Sequence, residues 1–119
     1  MGFAWKDYLD LAGYLQTQPT GACCEAALRS AVSRAYYAAF CHGRNYALAK
    51  LQYQPSYSSQ DHVQLRQHFT SCGMGLVARR LDALRQWRNQ CDYQDSLTAN
   101  LANMVAQAIR KAEEVINNL

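Results

Sequence analysis

The last third of the chain contains an arginine in an unusual place, at the start of the segment Arg-Asn-Gln-Cys-Asp-Tyr that spans residues 88–93. Arg88 lies seven and four residues after Leu81 and Leu84. Cys91 follows three residues later, so the helical repeat predicts that all four share one stripe. A buried guanidinium without a partner is costly. Arg88 on an apolar stripe therefore indicates a carboxylate partner, a subunit interface or a bound phosphate.

Polar side chains around Arg88 could bind an anion. Arg85, Arg88 and Asp92 are three and four residues apart and so share one helix face. Asn89 is turned about a third of the way around the helix from Arg88. An arginine fork with a nearby amide suits phosphate or carboxylate, which makes Arg85, Arg88 and Asn89 the candidate ligand-binding residues. The alternative, which composition alone favours, is that Arg88 pairs with Asp92 and ties down the helix end.

Other kinds of site find little support in the sequence. The histidines, His42, His62 and His68, lack a recognisable metal-ligand spacing, so we expect no metal site. Gly-Met-Gly at 73–75 follows no predicted strand and is interpreted as a helix break rather than a phosphate-binding loop. Ser33 in a helical stretch is interpreted as a small residue at a helix contact rather than as a nucleophile. No cofactor is implied.

Size and composition predict one domain, covering residues 1–119, that is large enough to bury a core. Hydrophobic residues make up 50% of the chain, which argues against disorder. Charged residues make up only 18%, so we expect a partner or a second copy to cover part of the surface. The net charge of +3 permits an anionic ligand without requiring one.

The compartment is predicted from apolar runs and cysteines. No run of about 18 apolar residues occurs, so we expect no membrane span. Residues 1–6 lack the basic and apolar segments of a secretory signal. The five cysteines are odd in number and form no Cys-x-x-Cys pair, which favours a reducing, cytoplasmic setting.

The pattern along the chain is helical nearly throughout. It predicts helices at about 5–15, 23–51, 59–71, 76–91 and 96–118, with residues 18–21 closing the first and Ser59 or Asp61 capping the third. Four or five helices with short links predict an all-α, antiparallel up-and-down bundle. Small residues form the stripe of the second helix, and Tyr36, Tyr37 and Phe40 supply bulk on its flanks. The two predicted stripes are Cys24, Ala27, Leu28, Ala31, Ala35, Ala38, Ala39 and His42, and Leu97, Leu101, Met104, Ala108, Ala112, Val115 and Leu119.

Two segments together resemble a known family. Residues 28–40, Leu-Arg-Ser-Ala-Val-Ser-Arg-Ala-Tyr-Tyr-Ala-Ala-Phe, resemble the second helix of HEPN domains (higher eukaryotes and prokaryotes nucleotide-binding). Residues 84–93, Leu-Arg-Gln-Trp-Arg-Asn-Gln-Cys-Asp-Tyr, resemble the later motif of that family, in which an arginine precedes Asp-Tyr or a histidine. Residues 5–12 and the Asp61-His62 pair also fit, so the resemblance spans nearly the whole chain.

The resemblance implies a helical bundle that is commonly dimeric. In the family, the motif helices of two subunits meet near the two-fold axis, so Arg88 and Asn89 would line a shared cleft. Many members are metal-independent endoribonucleases that promote attack of a ribose 2′-hydroxyl on its own phosphate. Other members are not catalytic and partner a small nucleotidyltransferase.

The motif here departs from the ribonuclease pattern, because Asp92 and Tyr93 stand where that pattern has its histidine. An ionised aspartate cannot donate a proton as imidazolium does, and losing a general acid–base typically costs a factor of about 10² to 10⁴ in rate. The resemblance therefore implies a cleft that binds RNA or nucleotide phosphate, in a component of a nucleotidyltransferase/HEPN toxin–antitoxin or defence system.

Two alternatives remain open at this point. One is an endoribonuclease with candidate catalytic residues Arg88, Asn89, Asp92 and Tyr93, in which Tyr93 or His62 replaces the missing histidine. The other is a non-enzymatic structural dimer in which Arg88 and Asp92 form a ladder across the interface.

Overall fold

The computed structural model describes residues 2–17 and 23–119, and these residues form five α-helices with no strand among them. This confirms the predicted all-α bundle of four or five helices. The predicted break at residues 18–21 lies outside the described residues. The helices are α1 (Asp7–Gln16), α2 (Cys24–Lys50), α3 (Asp61–Ser71), α4 (Gly75–Tyr93) and α5 (Leu101–Asn117).

Helix α2 lies at the centre and packs against α1, α4 and α5. Arg29, near the start of α2, donates hydrogen bonds to the carbonyl oxygens of Cys91 (3.0 Å) and Gln94 (2.6 Å) at the end of α4. Arg80, early in α4, pairs with Glu114, late in α5, at 2.8 Å. These contacts join the start of one helix to the end of the next, so both helix pairs run antiparallel.

The core confirms the α5 stripe and the middle of the α2 stripe, whereas Cys24, Ala27, Leu28 and His42 of the predicted α2 stripe are only partly buried. Ala31, Ala35, Ala38 and Ala39 of α2 are fully buried, and their small side chains let neighbouring helices approach closely. Tyr36 and Phe40, predicted on the flanks of α2, are buried as well. From α5, the core takes Met104, Val105, Ala108, Ala112 and Val115, while Leu97, Leu101 and Leu119 pack against it.

Two helix starts differ from the prediction. Helix α5 begins at Leu101 rather than near residue 96, because the Asn100 side chain accepts a hydrogen bond from the backbone N–H of Asn103 at 3.0 Å and caps the helix there. The cap predicted for α3 is wrong: Gln60 occupies the cap position without a side-chain cap bond. The Asp61 carboxylate turns back instead to the preceding loop.

Asp61 organises that loop, which connects α2 to α3. Its carboxylate accepts hydrogen bonds from the Tyr53 hydroxyl (2.6 Å) and from the backbone N–H groups of Ser56 (3.0 Å) and Tyr57 (2.7 Å). Tyr57 adopts a left-handed backbone with φ of 56°, which is strained for a residue other than glycine. The buried carboxylate therefore holds the loop, with Tyr57, in one conformation.

None of the described helices combines the length and apolar character needed to cross a membrane. The five cysteines are free thiols; Cys41 and Cys91 are buried, and Cys23 and Cys72 are exposed. Burial raises the pKa of the Cys91 thiol to about 11. That thiol is therefore protonated at neutral pH.

Candidate functional site

Arg88 is buried on the apolar stripe of α4, with 9% of its surface exposed, as its spacing predicted. Its guanidinium faces α2 within the same chain. The guanidinium carbon lies 5.2 Å from the ring centre of Tyr36 and 5.5 Å from that of Tyr37. These distances are typical of cation–π contacts, so the paired tyrosines cover the charge. Burial of Arg88 therefore does not by itself require a second copy of the chain.

The charge of Arg88 is incompletely compensated. The carboxylate of Asp92, one turn later, lies 3.9 Å from the guanidinium, at the long end of the range for an ion pair. The Nε–H of Arg88 is buried and has no hydrogen-bond partner among the described residues. A buried donor without an acceptor costs about 1–3 kcal/mol. The i,i+4 pairing predicted from the sequence is present, but it leaves this donor unsatisfied.

Asp92 connects the end of α4 to α2. The Ser33 hydroxyl donates a long hydrogen bond to Asp92 Oδ2 at 3.4 Å. Arg34, the next residue on α2, donates in turn to the Ser33 hydroxyl at 3.4 Å. The Asp92 side chain is 30% exposed, so it is weakly held and has access to solvent.

The other candidate residues on α4 divide into two groups. Arg85 pairs with Asp82 at 2.9 Å, and Asp82 also lies 3.6 Å from Arg66, so the charge of Arg85 is already offset. The hydrogen bond from Arg85 contributes most to holding the pKa of Asp82 below its ordinary value. Asn89 is partly exposed beside Arg88, whereas Tyr93 is 75% exposed. The structure thus brings Arg88 together with Asp92 and leaves Arg85 engaged elsewhere.

His62, at the start of α3, joins the cluster through Tyr36. The Tyr36 hydroxyl is hydrogen-bonded to Nδ1 of His62, and the imidazole stacks on Phe40 with ring centres 4.3 Å apart. Burial, followed by the nearby charges of Arg88 and Arg66, lowers the pKa of His62, so the imidazole is neutral at pH 7.

The Tyr36 hydroxyl keeps its proton at neutral pH. Burial raises its pKa above its ordinary value, although the charge of Arg88 opposes the change. A protonated hydroxyl can donate to Nδ1 of His62 or accept from it, and the tautomer of the neutral ring decides which. Tyr36 engages Nδ1 in either case, so Nε2 is the ring nitrogen left for another contact.

A pocket of about 610 Å³ adjoins this cluster on the other side of Tyr37. It lies between α2, the segment before α1 and the Tyr57 loop. We call it the aromatic-arginine pocket, after the side chains of Trp5, Tyr8, Tyr37, Tyr57, Arg34 and Arg44 that line it. The Arg88 cluster and the pocket share three side chains, Tyr37, Phe40 and His62.

The two arginines of this pocket were not singled out in the sequence, although a signal for them is present. Arg34, Tyr37, Cys41 and Arg44 are three, four and three residues apart, which places them on one face of α2. This face differs from the alanine stripe and carries both basic and aromatic side chains. A search for alternating basic and aromatic residues at helical spacing would have found it.

Within the described part of the chain, no three His, Cys, Asp or Glu side chains come together as a metal site. Neither models of known protein families nor curated proteins nor solved structures match this chain. The HEPN resemblance and the roles that it implies are therefore expectations from the sequence.

Proposed function

We propose that this chain binds a phosphate of RNA or of a nucleotide through Arg88, as a HEPN-like protein that forms a homodimer. The guanidinium of Arg88 carries the proposal, because its buried Nε–H has no acceptor among the described residues. Its ion pair with Asp92 is long at 3.9 Å. A phosphate oxygen would supply the missing acceptor, and the planar guanidinium is suited to two-point contact with phosphate.

The neighbouring residues have unequal parts in this proposal. Asn89, partly exposed beside Arg88, adds an amide donor. Arg85 contributes less, because Asp82 already pairs with it at 2.9 Å. Asp92 competes with the phosphate for Arg88. Because the Asp92 side chain is partly exposed, its carboxylate can turn into solvent when the phosphate binds.

The homodimer is proposed from three observations. Charged residues make up only 18% of the chain, and large apolar side chains, among them Tyr14, Leu76 and Tyr93, are exposed. The HEPN resemblance also implies dimers, and it extends the proposal to a nucleotidyltransferase partner in a toxin–antitoxin or defence pair.

The unpaired cysteines suit a reducing, cytoplasmic compartment.

Thermal unfolding with a short RNA tests the Arg88 site. We expect hexaadenylate to raise the Tm of the wild type by more than it raises the Tm of Arg88→Met, which lacks the phosphate contact at this site. Arg80→Met is the matched control, since it removes the same charge from the same helix but Arg80 is paired with Glu114. This control should respond to the RNA as the wild type does. An equal response of Arg88→Met and wild type would overturn the proposed site.

A metal-independent endoribonuclease is the second candidate. Of the two residues that could replace the missing histidine, the structure favours His62 over Tyr93. His62 shares the Tyr36 contact with Arg88, whereas Tyr93 is 75% exposed. However, His62 is held by Tyr36 on another helix, and the motif on α4 has Asp92 and Tyr93 where the ribonuclease pattern has its histidine, so binding is the better supported proposal. Cleavage of transfer RNA in EDTA that is lost in both Arg88→Met and His62→Gln would establish the enzyme. An intact substrate at micromolar wild-type protein would eliminate it.

A purely structural dimer is the third candidate, and it rests on the ion pair between Arg88 and Asp92. It predicts that Arg88→Met changes the monomer–dimer balance and that the protein shows no response to RNA. Sedimentation velocity of the two proteins measures that balance. A sedimentation coefficient that the substitution leaves unchanged would remove this candidate.

A further inference from the structure

The two arginines of the aromatic-arginine pocket lie on aromatic rings instead of pairing with carboxylates. The guanidinium carbon of Arg34 is 4.7 Å from the ring centre of Tyr8 and 5.2 Å from that of Tyr37. That of Arg44 is 5.7 Å from Trp5 and 5.1 Å from Tyr57. The positive charges of the pocket are thus held in place by ring faces.

Neither arginine has an ion-pair partner among residues 2–17 and 23–119. Each donates one long hydrogen bond to a neutral side chain: Arg34 to the Ser33 hydroxyl at 3.4 Å, and Arg44 to Asn45 Oδ1 at 3.2 Å. Asp61 is the carboxylate that lines the pocket, but its oxygens are occupied by the loop before α3. The pocket therefore keeps both positive charges.

Both guanidinium groups act on the thiol of Cys41, which lines the pocket and lies between Arg34 and Arg44 on the same face of α2. Burial raises the pKa of the Cys41 thiol, and Arg44 and Arg34 both oppose that change.

A second cavity, of about 630 Å³, lies between α3 and α4 and differs in its charges. Its charged side chains are Arg66 and Asp82, which pair with each other at 3.6 Å, and the exposed Arg79, and none of the described residues that line it is aromatic. The aromatic-arginine pocket is therefore the better candidate for an anionic ligand.

Ring faces and unpaired guanidinium groups together select a class of ligand. Aromatic side chains stack on nucleobases, each stack contributing about 1–3 kcal/mol, and guanidinium groups bind phosphate oxygens. Arg34 and Arg44 are ten residues apart on one helix, so their backbones are separated by roughly 15 Å. The pocket volume of about 610 Å³ lies within the usual range for small-molecule sites. A nucleotide matches this combination, with its base among the rings and its phosphate at one arginine.

The walls are already in place for such a ligand. Phe3 packs edge-on against Trp5 with ring centres 4.9 Å apart, and Trp5 packs against Tyr8 at 5.6 Å. On the opposite wall, Asp61 fixes the strained backbone of Tyr57 through its N–H. A site whose aromatic groups are held before binding loses less conformational entropy when the ligand enters.

We propose that the aromatic-arginine pocket binds a nucleotide, either free or as part of a single-stranded RNA, with the base stacked among Trp5, Tyr8 and Tyr57 and the phosphate on Arg34 or Arg44. This deepens the proposed function and rests on it for the class of ligand. The pocket adjoins the Arg88 site but uses different arginines, with Tyr37 between Arg34 and Arg88. His62 lines the pocket as well.

Tryptophan fluorescence tests the pocket directly, because Trp5 is in it and Trp87 is elsewhere, with Lys111 over its ring. In a Trp87→Phe background, adenosine 5′-monophosphate should quench Trp5 emission saturably. Inorganic phosphate at the same concentration should not, since it lacks a base to stack. A parallel titration with hexaadenylate shows whether the pocket binds a free nucleotide or a single-stranded RNA more tightly.

Substitutions locate the binding site. Arg44→Gln should raise the Kd for adenosine 5′-monophosphate at least tenfold, and Tyr57→Ala should do so without touching a charge. Both side chains lie at the surface, so the variants should fold. Arg79→Gln is the matched control, because it removes a charge from an exposed position of α4. It should leave the Kd unchanged.

The results separate the two proposals. Quenching that Arg44→Gln abolishes and Arg88→Met retains supports the pocket, even if the Arg88 site fails its own test. Quenching that survives the double variant Arg34→Gln/Arg44→Gln, or that only Arg88→Met abolishes, overturns the pocket and leaves the Arg88 proposal standing. A Trp5 signal that neither adenosine 5′-monophosphate nor hexaadenylate changes also overturns the pocket.

Discussion

Two faces of helix α2 have opposite characters. The alanine face, formed by Ala31, Ala35, Ala38 and Ala39, is fully buried against other helices. The arginine face carries Arg34, Tyr37, Cys41 and Arg44 and borders an open pocket. Close packing accounts for the alanine face, since small side chains allow helices to approach. Packing does not account for the arginine face, where two cations lie on rings without carboxylate partners.

This difference indicates which substitutions should change stability and which should change binding. On the alanine face, the free energy of unfolding depends on side-chain volume. On the arginine face, and around Arg88, charge can be removed at little cost to folding.

The largest effect is expected on the alanine face. Ala35→Leu adds three carbon atoms at a position with no exposed surface, and overpacking of this kind should lower the free energy of unfolding by about 3 kcal/mol. Chemical denaturation measures the change. Ala49→Leu is the control, because Ala49 is exposed near the end of the same helix and its substitution should change stability by less than about 0.5 kcal/mol. Equal effects of the two substitutions would show that stability does not depend on side-chain volume at the alanine face.

The next effect concerns Asp61, which holds the loop that walls the pocket. Asp61→Asn removes a buried charge that accepts hydrogen bonds from Tyr53, Ser56 and Tyr57, and it should destabilise the fold by about 2 kcal/mol. The same variant should weaken the Trp5 response to nucleotide, since Tyr57 loses its anchor. Denaturation and fluorescence titration of one sample measure both. A loss of stability without a loss of binding would show that the wall does not depend on this anchor.

Asp61 also gives stability a dependence on pH. Burial acts to raise its pKa, but the hydrogen bonds from Tyr53 and from the loop outweigh burial, so the pKa in the folded state is below the ordinary value of 3.8. The unfolded chain binds this proton first, so the stabilisation is complete above about pH 5. It is lost as the pH falls below 4 and through the lower folded-state pKa. The free energy of unfolding should fall more steeply with decreasing pH in the wild type than in Asp61→Asn over this range. The same pH dependence in both proteins would show that Asp61 is not the group responsible.

A smaller effect is expected for Arg44→Gln. It removes two cation–π contacts at a partly exposed site, which should cost about 1 kcal/mol or less. Arg29→Gln is the matched substitution on the same helix and should cost more, because Arg29 donates to the carbonyl oxygens of Cys91 and Gln94. Thermal unfolding of both variants compares them. If Arg44→Gln proved the more destabilising, the arginine face would be structural.

The smallest effect on stability is expected for Arg88→Met. The substitution removes a buried, unsatisfied donor and replaces it with an apolar side chain that packs well on tyrosine rings, so the Tm should stay the same or rise slightly. The rise in Tm on adding hexaadenylate should nevertheless be smaller than in the wild type. A large fall in Tm would assign Arg88 to the core instead.

The sequence predicted the helices well, because the apolar spacing of α2, α4 and α5 is determined by local periodicity. It also placed Arg88 correctly on a buried stripe with Asp92 one turn away. The caps were harder, since Asn100 and Asp61 are both polar residues near helix starts. Only the fold shows that Asn100 bonds forward along the helix and Asp61 bonds back to the loop.

The contacts of the candidate site could not be predicted from spacing alone. The position of Arg88 over Tyr36 and Tyr37 depends on how α4 crosses α2, which involves residues about 50 positions apart in the chain. The same is true of His62, whose bond to Tyr36 requires α3 to begin beside the middle of α2. Local patterns determine which residues share a face, but tertiary packing decides which faces meet.

The thiol of Cys41 gives the pocket a built-in chemical reporter. In a protein whose exposed cysteines have been replaced by serine, its rate of alkylation at mildly alkaline pH records how often a reagent reaches the floor. A bound ligand above it would slow that reaction, whereas Cys91, buried elsewhere and with a pKa of about 11, should stay nearly unreactive with or without the ligand.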